Sequence, residues 1–167
     1  FELWRDLDGL DLATPNLKLI GDVICCPGLD YCALANARSI PVSQRITRRF
    51  ADLKRQFDIG ELRLKISGCI NACGHHHAGN VGILGVDRKG EEYYQITLGG
   101  SGDENAAIGD VVGPAFSSED VVDAVEAIVE TYIEKRKPSE IFLETYRRIG
   151  QEPFKTRLYP EKTDAAA

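Results

Sequence analysis

The order of elements along this chain predicts an α+β fold, in which helices pack on a mixed β-sheet. Patterns typical of a strand, a helix, a second strand and a short helix come first, and a hairpin and two helices follow them. The chain has 167 residues, of which 43% are hydrophobic and 28% are charged, and this is the usage of a globular protein with a core. The length suits one domain with appendages.

The first part of the chain combines a lead-in, a strand and a small helix. Residues 1–17 are mixed in character and are expected to lead in from upstream structure. β-Branched residues predict a strand over 18–25, and a run of turn-forming residues follows it at 26–30. Small residues then favour a helix over 31–38.

One amphipathic helix is predicted between Pro41 and Gly60. Proline suits the first helical turn, where its missing N–H is harmless, and glycine commonly ends a helix. Apolar residues at spacings of four, three and four form a single stripe between them: Ile46, Phe50, Leu53 and Phe57. The alternating residues at 62–66 then predict a strand with one solvated face.

A hairpin is predicted in the middle of the chain. The two strands cover 81–86 and 93–98, and the turn at 87–90 places Gly90 in a left-handed conformation. The glycine-bearing stretch at 99–113 is expected to be a loose segment with room for one short strand.

Two helices and a tail are predicted at the C-terminal end. Ser117 or Ser118 caps a long helix that Pro138 stops, a second helix covers 139–150, and 151–167 form a polar tail. The long helix has an apolar stripe that predicts its buried face: Val121, Val122, Val125, Ile128, Val129, Tyr132 and Ile133.

Charge is unevenly distributed along the chain. The net charge of −6 argues against generic nucleic-acid binding. Residues 38–65 carry eight basic and three acidic side chains, whereas 91–134 carry eleven acidic ones and no lysine or arginine. Two interpretations follow: solvated helix faces of opposite sign, or a basic surface that meets a cofactor rich in carboxylates or an acidic electron carrier.

Several features are absent from the sequence. No stretch approaches the roughly 20 apolar residues of a membrane helix, and residues 1–5 do not resemble a secretory signal. We therefore expect a cytoplasmic protein with no membrane contact. The chain contains no methionine, which predicts a fragment of a longer polypeptide.

Four of the five cysteines form two spaced pairs. Cys26 and Cys32 enclose five residues, Cys69 and Cys73 enclose three, and each pair follows a predicted strand. Structural zinc sites prefer two to four residues within a pair, so the first gap is wide for zinc. An iron–sulfur cube is larger than one ion and tolerates wider gaps, and four thiolates complete a 4Fe-4S cluster.

The neighbours of these cysteines add to the pattern. Gly28, Gly68 and Gly74 suit a backbone that turns sharply and directs N–H groups at sulfur. The fifth cysteine, Cys25, is expected to be a small buried hydrophobe. The histidines at 75–77 are expected to pack or to face solvent, the alternative being that one contacts a cofactor or a substrate channel.

Two segments resemble the siroheme-dependent sulfite and nitrite reductases. They are CPGLDYCALA at 26–35 and SGCINACGHH at 67–76. The family signature is C-x5-C followed by C-x3-C, with Asn inside the second pair and Gly after it, as Asn71 and Gly74 are here. Ile70 departs from the pattern, because the family very often has Pro at that position. The resemblance extends from about residue 18 to 113.

This resemblance implies a mixed five-stranded sheet with packed helices, the 4Fe-4S domain of such a reductase, over residues 18–150. It implies that Cys73 also bridges to the siroheme iron, and that Asn71 and Gly74 contact the cofactors. Electrons would pass singly through the cluster to siroheme, reducing sulfite to sulfide or nitrite to ammonia. Four cysteines would hold the cluster: Cys26, Cys32, Cys69 and Cys73.

The resemblance also implies partners. Upstream domains of the same polypeptide would supply the Arg and Lys side chains that bind siroheme and the small anion substrate, and a ferredoxin or flavoprotein would donate electrons. The isolated chain would then be inactive. Two other functions fit the cysteines: a structural zinc module of Cys and His residues, and an iron–sulfur electron carrier without haem.

Overall fold

The computed structural model describes residues 1–160, and residues 161–167 lie outside the described part. It has a sheet of six strands: β1 Ile24–Cys25, β2 Leu64–Ser67, β3 Val81–Arg88, β4 Glu91–Leu98, β5 Asp110–Val111 and β6 Phe116–Ser117. The described α-helices are α1 Glu2–Asp8, α2 Ile40–Arg49, α3 Leu53–Ile59, α4 Val121–Lys135, α5 Phe142–Ile149 and α6 Glu152–Leu158. Two short 3₁₀ helices cover Gly28–Asp30 and His76–Ala78.

The strands form a mixed sheet, which confirms the predicted α+β class. Their order is β1-β2-β3-β4-β5, and β6 also pairs with β4. The first three strands are parallel to one another, and β4 runs antiparallel to β3, β5 and β6. The sheet has six strands rather than five because β6 adds two residues beside the start of β4.

The hairpin agrees with the prediction. Strand β3 pairs with β4 over its full length, and the turn between them contains Lys89 and Gly90. Both residues have positive φ, 58° and 86°, which is typical of the tight turn that suits twisted antiparallel strands.

Two predictions in the N-terminal third are wrong. The strand at 18–25 is reduced to β1, because turns at Leu19 and Asp22 occupy the residues before it. The helix at 31–38 does not form. There the N–H groups of Asn36 and Ala37 both donate to the carbonyl oxygen of Gly68, so a contact between distant segments replaces local helical bonds.

The helix predicted over 41–60 is two helices, α2 and α3. Asp52 caps the second helix, since its carboxylate accepts a hydrogen bond of 2.9 Å from the backbone N–H of Lys54. The break rotates the apolar stripe, so that Phe50 is fully buried whereas Phe57 is 57% exposed.

The C-terminal end contains one helix more than predicted. Helix α4 begins at Val121 with Asp120 as its cap residue, so neither predicted serine holds that position. Helix α5 begins at Phe142 rather than at 139. The expected tail begins with α6, and its Phe154 is fully buried against the ring of Phe142, 5.8 Å away.

The two charged stretches face each other within the chain. Arg49 of α2 donates to Asp123 of α4 at 2.8 Å, and Arg55 of α3 pairs with Glu126 of α4. Arg38 pairs with Glu92 of β4. Part of the uneven charge of the sequence is therefore accounted for by ion pairs that join α2 and α3 to α4, and several of these side chains remain exposed to solvent.

No helix among residues 1–160 is long and apolar enough to cross a membrane.

Candidate metal centre

The two cysteine pairs lie on loops that leave the same edge of the sheet. Strands β1 and β2 are parallel neighbours, with Cys25 opposite Ile66. The first cysteine loop, residues 26–38, follows β1, and the second cysteine loop, residues 68–75, follows β2. Because adjacent parallel strands end at one edge, the loops start side by side.

Backbone hydrogen bonds fasten the first cysteine loop to the second. The N–H of Cys26 donates to the carbonyl oxygen of Ile66 at 3.1 Å. Further along, the N–H groups of Asn36 and Ala37 donate to the oxygen of Gly68 at 2.8 and 3.0 Å. Both ends of the first loop are therefore held against the start of the second.

Glycines allow this close approach. A Cβ added at Gly68 would lie 2.9 Å from the Cα of Gly28. One added at Gly74 would lie 1.9 Å from the carbonyl oxygen of Ile66 and 3.2 Å from the nitrogen of Cys26. Any side chain at Gly74 would push the cysteine loops apart. The glycines beside the cysteines therefore permit tight contact between the backbones of the two loops.

The sulfur of Cys26 has hydrogen-bond partners in the second cysteine loop and at Ser39, just before α2. The N–H of Gly68 donates to it at 3.1 Å, and the hydroxyl of Ser39 lies 3.5 Å from it. Burial opposes ionisation of this thiol, but donors at Ser39, Gly68 and Gly28 outweigh it and lower the pKa of Cys26. A thiol that ionises readily is suited to metal ligation.

The remaining cysteines differ in exposure. Cys69 is buried, Cys32 is half-buried and Cys73 is exposed, and all of them are free thiols. The second loop presents Cys73 through a turn in which Ala72 has a φ of 56° and donates its N–H to the oxygen of Cys69. Asn71 is exposed beside it, whereas Gly74 is buried.

Cys25 behaves as expected from the sequence. It is half-buried and packs against the hydrophobic core. In a strand its side chain points to the opposite face from that of Cys26. The structure therefore separates the fifth cysteine from the two cysteine loops.

The three adjacent histidines differ in solvent exposure. His75 is exposed, His77 is half-buried and His76 is buried. Burial, followed by the nearby His77, lowers the pKa of His76, and its Nδ1 has no hydrogen-bond partner within residues 1–160. These rings pack on one another edge to face, 5.5 Å apart for His76 and His77.

Large apolar side chains are exposed in both cysteine loops. Tyr31 is 82% exposed and Leu34 is 73% exposed in the first cysteine loop, and Ile70 is 83% exposed in the second. Where exposed apolar side chains form one patch, they mark a surface that binds a partner or a ligand. The exposed sulfur of Cys73 lies in the same loop as Ile70.

The donor set consists of cysteine thiols, which are the usual ligands of iron–sulfur clusters. Over residues 1–160, no group of three or more His, Cys, Asp or Glu side chains is arranged to hold one metal ion. Four thiols on two fastened loops, one of them with N–H and O–H donors at its sulfur, match the ligands of an iron–sulfur cube.

Comparison with known proteins identifies the family. Residues 18–164 match the family described as the nitrite and sulphite reductase 4Fe-4S domain. The chain belongs to this family of siroheme-dependent sulfite and nitrite reductases, as the cysteine motifs predicted.

Curated relatives include enzymes of more than one kind. The chain is 30% identical over 144 residues to a cobalt-factor III methyltransferase of Priestia megaterium, covering 86% of this chain and 25% of that protein. It is 26% identical over 161 residues to sulfite reductase [ferredoxin] 1 of Mycolicibacterium paratuberculosis, covering 90% and 29%. The chain therefore spans less than a third of the length of these relatives.

A solved structure shares the fold. The NirA protein of Mycobacterium tuberculosis superposes with a TM-score of 0.75 at 23% sequence identity. The match covers 92% of this chain and 30% of that one.

One residue of the site is missed by the sequence patterns. Ser39 stands two positions before Pro41, where a serine is expected to cap a helix, and nothing in the spacing connects it with Cys26. Only the folded chain brings its hydroxyl to the sulfur.

Proposed function

We propose that this chain is the cluster-carrying domain of a siroheme sulfite or nitrite reductase. One observation carries the proposal: the loops bearing the two cysteine pairs leave one sheet edge and are bonded to each other through Gly68. Four cysteines would hold a 4Fe-4S cluster: Cys26, Cys32, Cys69 and Cys73.

Each cysteine contributes differently in this proposal. Cys69 is buried and would ligate from the interior, whereas Cys26 is already surrounded by donors that favour its thiolate. Cys73 is exposed and would also ligate the siroheme iron. The neighbours have separate tasks: Gly74 lets the loops meet, and Asn71 faces outward beside Cys73.

The bound cofactors would supply single-electron transfer for the six-electron reduction of sulfite or nitrite. The chain's residues hold and orient the cofactors and shield the cluster, while the Arg and Lys groups that bind the anion belong to upstream domains. Relatives are named as ferredoxin-dependent and NADPH-dependent reductases, which supports a ferredoxin or a flavoprotein as donor.

The relative from Priestia megaterium supports a second candidate. A domain 30% identical to this chain occupies a quarter of a protein named as a cobalt-factor III methyltransferase. In that alternative, the same cysteines hold the cluster, but the parent polypeptide transfers a methyl group instead of reducing an anion.

Iron analysis tests the cluster. The full-length protein carrying this chain, purified without oxygen, should be brown and contain about four irons for the cluster in addition to the siroheme iron. Cys69→Ser should lose them, whereas Cys25→Ser, which changes a cysteine outside the cysteine loops, should keep them. Zinc in place of iron, or equal iron in both variants, would contradict the proposal.

Activity assays of the same protein separate the two candidates. Reduction of sulfite or nitrite with a chemical electron donor supports the reductase. Methyl transfer to cobalt-factor III, without anion reduction, supports the alternative.

A further inference from the structure

The hydroxyl of Ser39 occupies an unusual position. Ser39 is fully buried and directly precedes α2, yet its side chain makes no capping hydrogen bond to that helix. Its backbone is helical, with φ of −95° and ψ of −38°, rather than extended as at a typical serine cap. Within residues 1–160, the hydrogen-bond partner of its Oγ is the sulfur of Cys26, 3.5 Å away.

Two glycines hold this hydroxyl in place. A Cβ added at Gly28 would lie 2.8 Å from the Oγ of Ser39, and one added at Gly68 would lie 2.9 Å from it. The hydroxyl is therefore held in a slot between the two cysteine loops. Among the described residues, no side-chain hydroxyl lies within hydrogen-bond distance of the sulfur of Cys32, Cys69 or Cys73. Cys26 therefore differs from the other three candidate ligands.

The direction of this hydrogen bond follows from the chemistry of a ligated cysteine. Either atom can donate while Cys26 is a thiol. A metal-bound cysteine has lost its proton, so Ser39 must then be the donor and sulfur the acceptor. Together with the N–H of Gly68 at 3.1 Å, two donors would meet at one ligand sulfur.

We propose that Ser39 is a positioning residue that raises the reduction potential of the cluster through its hydrogen bond to Cys26. The inference rests on the proposed function, in which Cys26 is a cluster ligand. A reduced cluster carries more negative charge on its sulfurs than an oxidised one, so donors to sulfur stabilise the reduced state more strongly.

A redox titration of the full-length holoprotein, followed by EPR, tests this role. Ser39→Ala should reduce the equilibrium constant for cluster reduction about tenfold, which corresponds to about 59 mV for a one-electron couple. Ser39→Gly should produce the same shift, because glycine also lacks the hydroxyl and is tolerated before a helix. Ser43→Ala, within α2 and with no hydrogen bond to sulfur, should leave the potential unchanged.

The possible results distinguish failure of the proposed function from failure of the proposed role of Ser39. If the wild-type protein binds no iron, the proposed function fails first. If iron is fully bound and both Ser39 variants titrate with the potential of Ser43→Ala, the role of Ser39 is overturned. Loss of iron from both Ser39 variants overturns it too, because Ser39 would then be needed for assembly rather than for tuning.

Discussion

The helical side of this molecule and its cysteine edge are stabilised in different ways. On the helical side, α2 and α3 pack on α4 through a buried apolar stripe and ion pairs such as Arg55–Glu126. At the cysteine edge, loops with little regular structure are held by glycine contacts and a few backbone bonds. The apolar stripe on the helical side is covered by other elements of the chain. At the cysteine edge, apolar side chains and Cys73 stay exposed.

Stability and the candidate site therefore depend on different parts of the molecule. The helical side supplies the apolar burial on which folding depends. The cysteine edge contributes free thiols on two loops that backbone hydrogen bonds hold together, and it exposes large apolar side chains. Substitutions on the two sides should therefore separate folding from iron binding.

Removal of a core side chain on the helical side should change the free energy of unfolding most. Phe154→Ala should lower the free energy of unfolding by about 4 kcal/mol, because it empties a fully buried site in contact with Phe142 and Tyr146. The matched control Phe57→Ala, on the exposed surface of α3, should change it by less than about 0.5 kcal/mol. Urea unfolding measures both. Iron bound per folded chain should stay unchanged in Phe154→Ala. Loss of iron in this variant would show that iron binding also depends on the helical side.

At the cysteine edge, Gly74→Ala should affect both properties. The added methyl group would overlap the oxygen of Ile66, so we expect a loss of about 3 kcal/mol and of bound iron. Gly9→Ala is the control, since Gly9 has helical backbone angles and its added Cβ meets ordinary contacts. Denaturation and iron analysis of both variants provide the test. A Gly74→Ala protein with normal iron would show that the loops do not need this close approach.

Replacement of Glu140 on the helical side should have the smallest effect, a change in stability at acidic pH. Hydrogen bonds from Arg148, the N–H of Lys137 and Thr145 lower the pKa of Glu140 to about 2 from 4.5. A depressed carboxylate pKa contributes stability above pH 4.5 that is lost as the pH falls towards 2. Glu140→Gln should remove that part of the acid transition.

The control for the acid profile is Glu119→Gln. The carboxylate of Glu119 makes no hydrogen bond or ion pair with residues 1–160, so its replacement should leave the profile unchanged. Circular dichroism followed from pH 6 to pH 2, in roughly half-unit steps, compares the three proteins. If the curves of wild type and Glu140→Gln coincide, the Arg148–Glu140 ion pair does not contribute to acid stability.

Local chemistry in the sequence was enough for part of the structure. The β3–β4 hairpin follows from alternating strands around Lys89 and Gly90, because the turn needs positive φ in a two-residue loop. Helix α4 follows from its apolar stripe and the proline after it. The cysteine spacing identified the family, since ligand spacing is a property of the chain itself.

Long-range contacts decided the rest. The helix expected at 31–38 is absent because the N–H groups of Asn36 and Ala37 bond to Gly68, 32 and 31 residues away in sequence, and a local pattern does not contain that partner. Helix α6 forms where a polar tail was expected, because Phe154 finds a buried site on α4 and α5.

Residue types and their spacing were sufficient to predict the candidate ligands and the segments that prefer helix or strand. The contact of Ser39 with Cys26, and the pairing of acidic α4 with the basic helices α2 and α3, depend on the folded chain. The physical reason is that propensities and spacings act over a few residues, whereas hydrogen bonds and packing between distant segments depend on the whole fold.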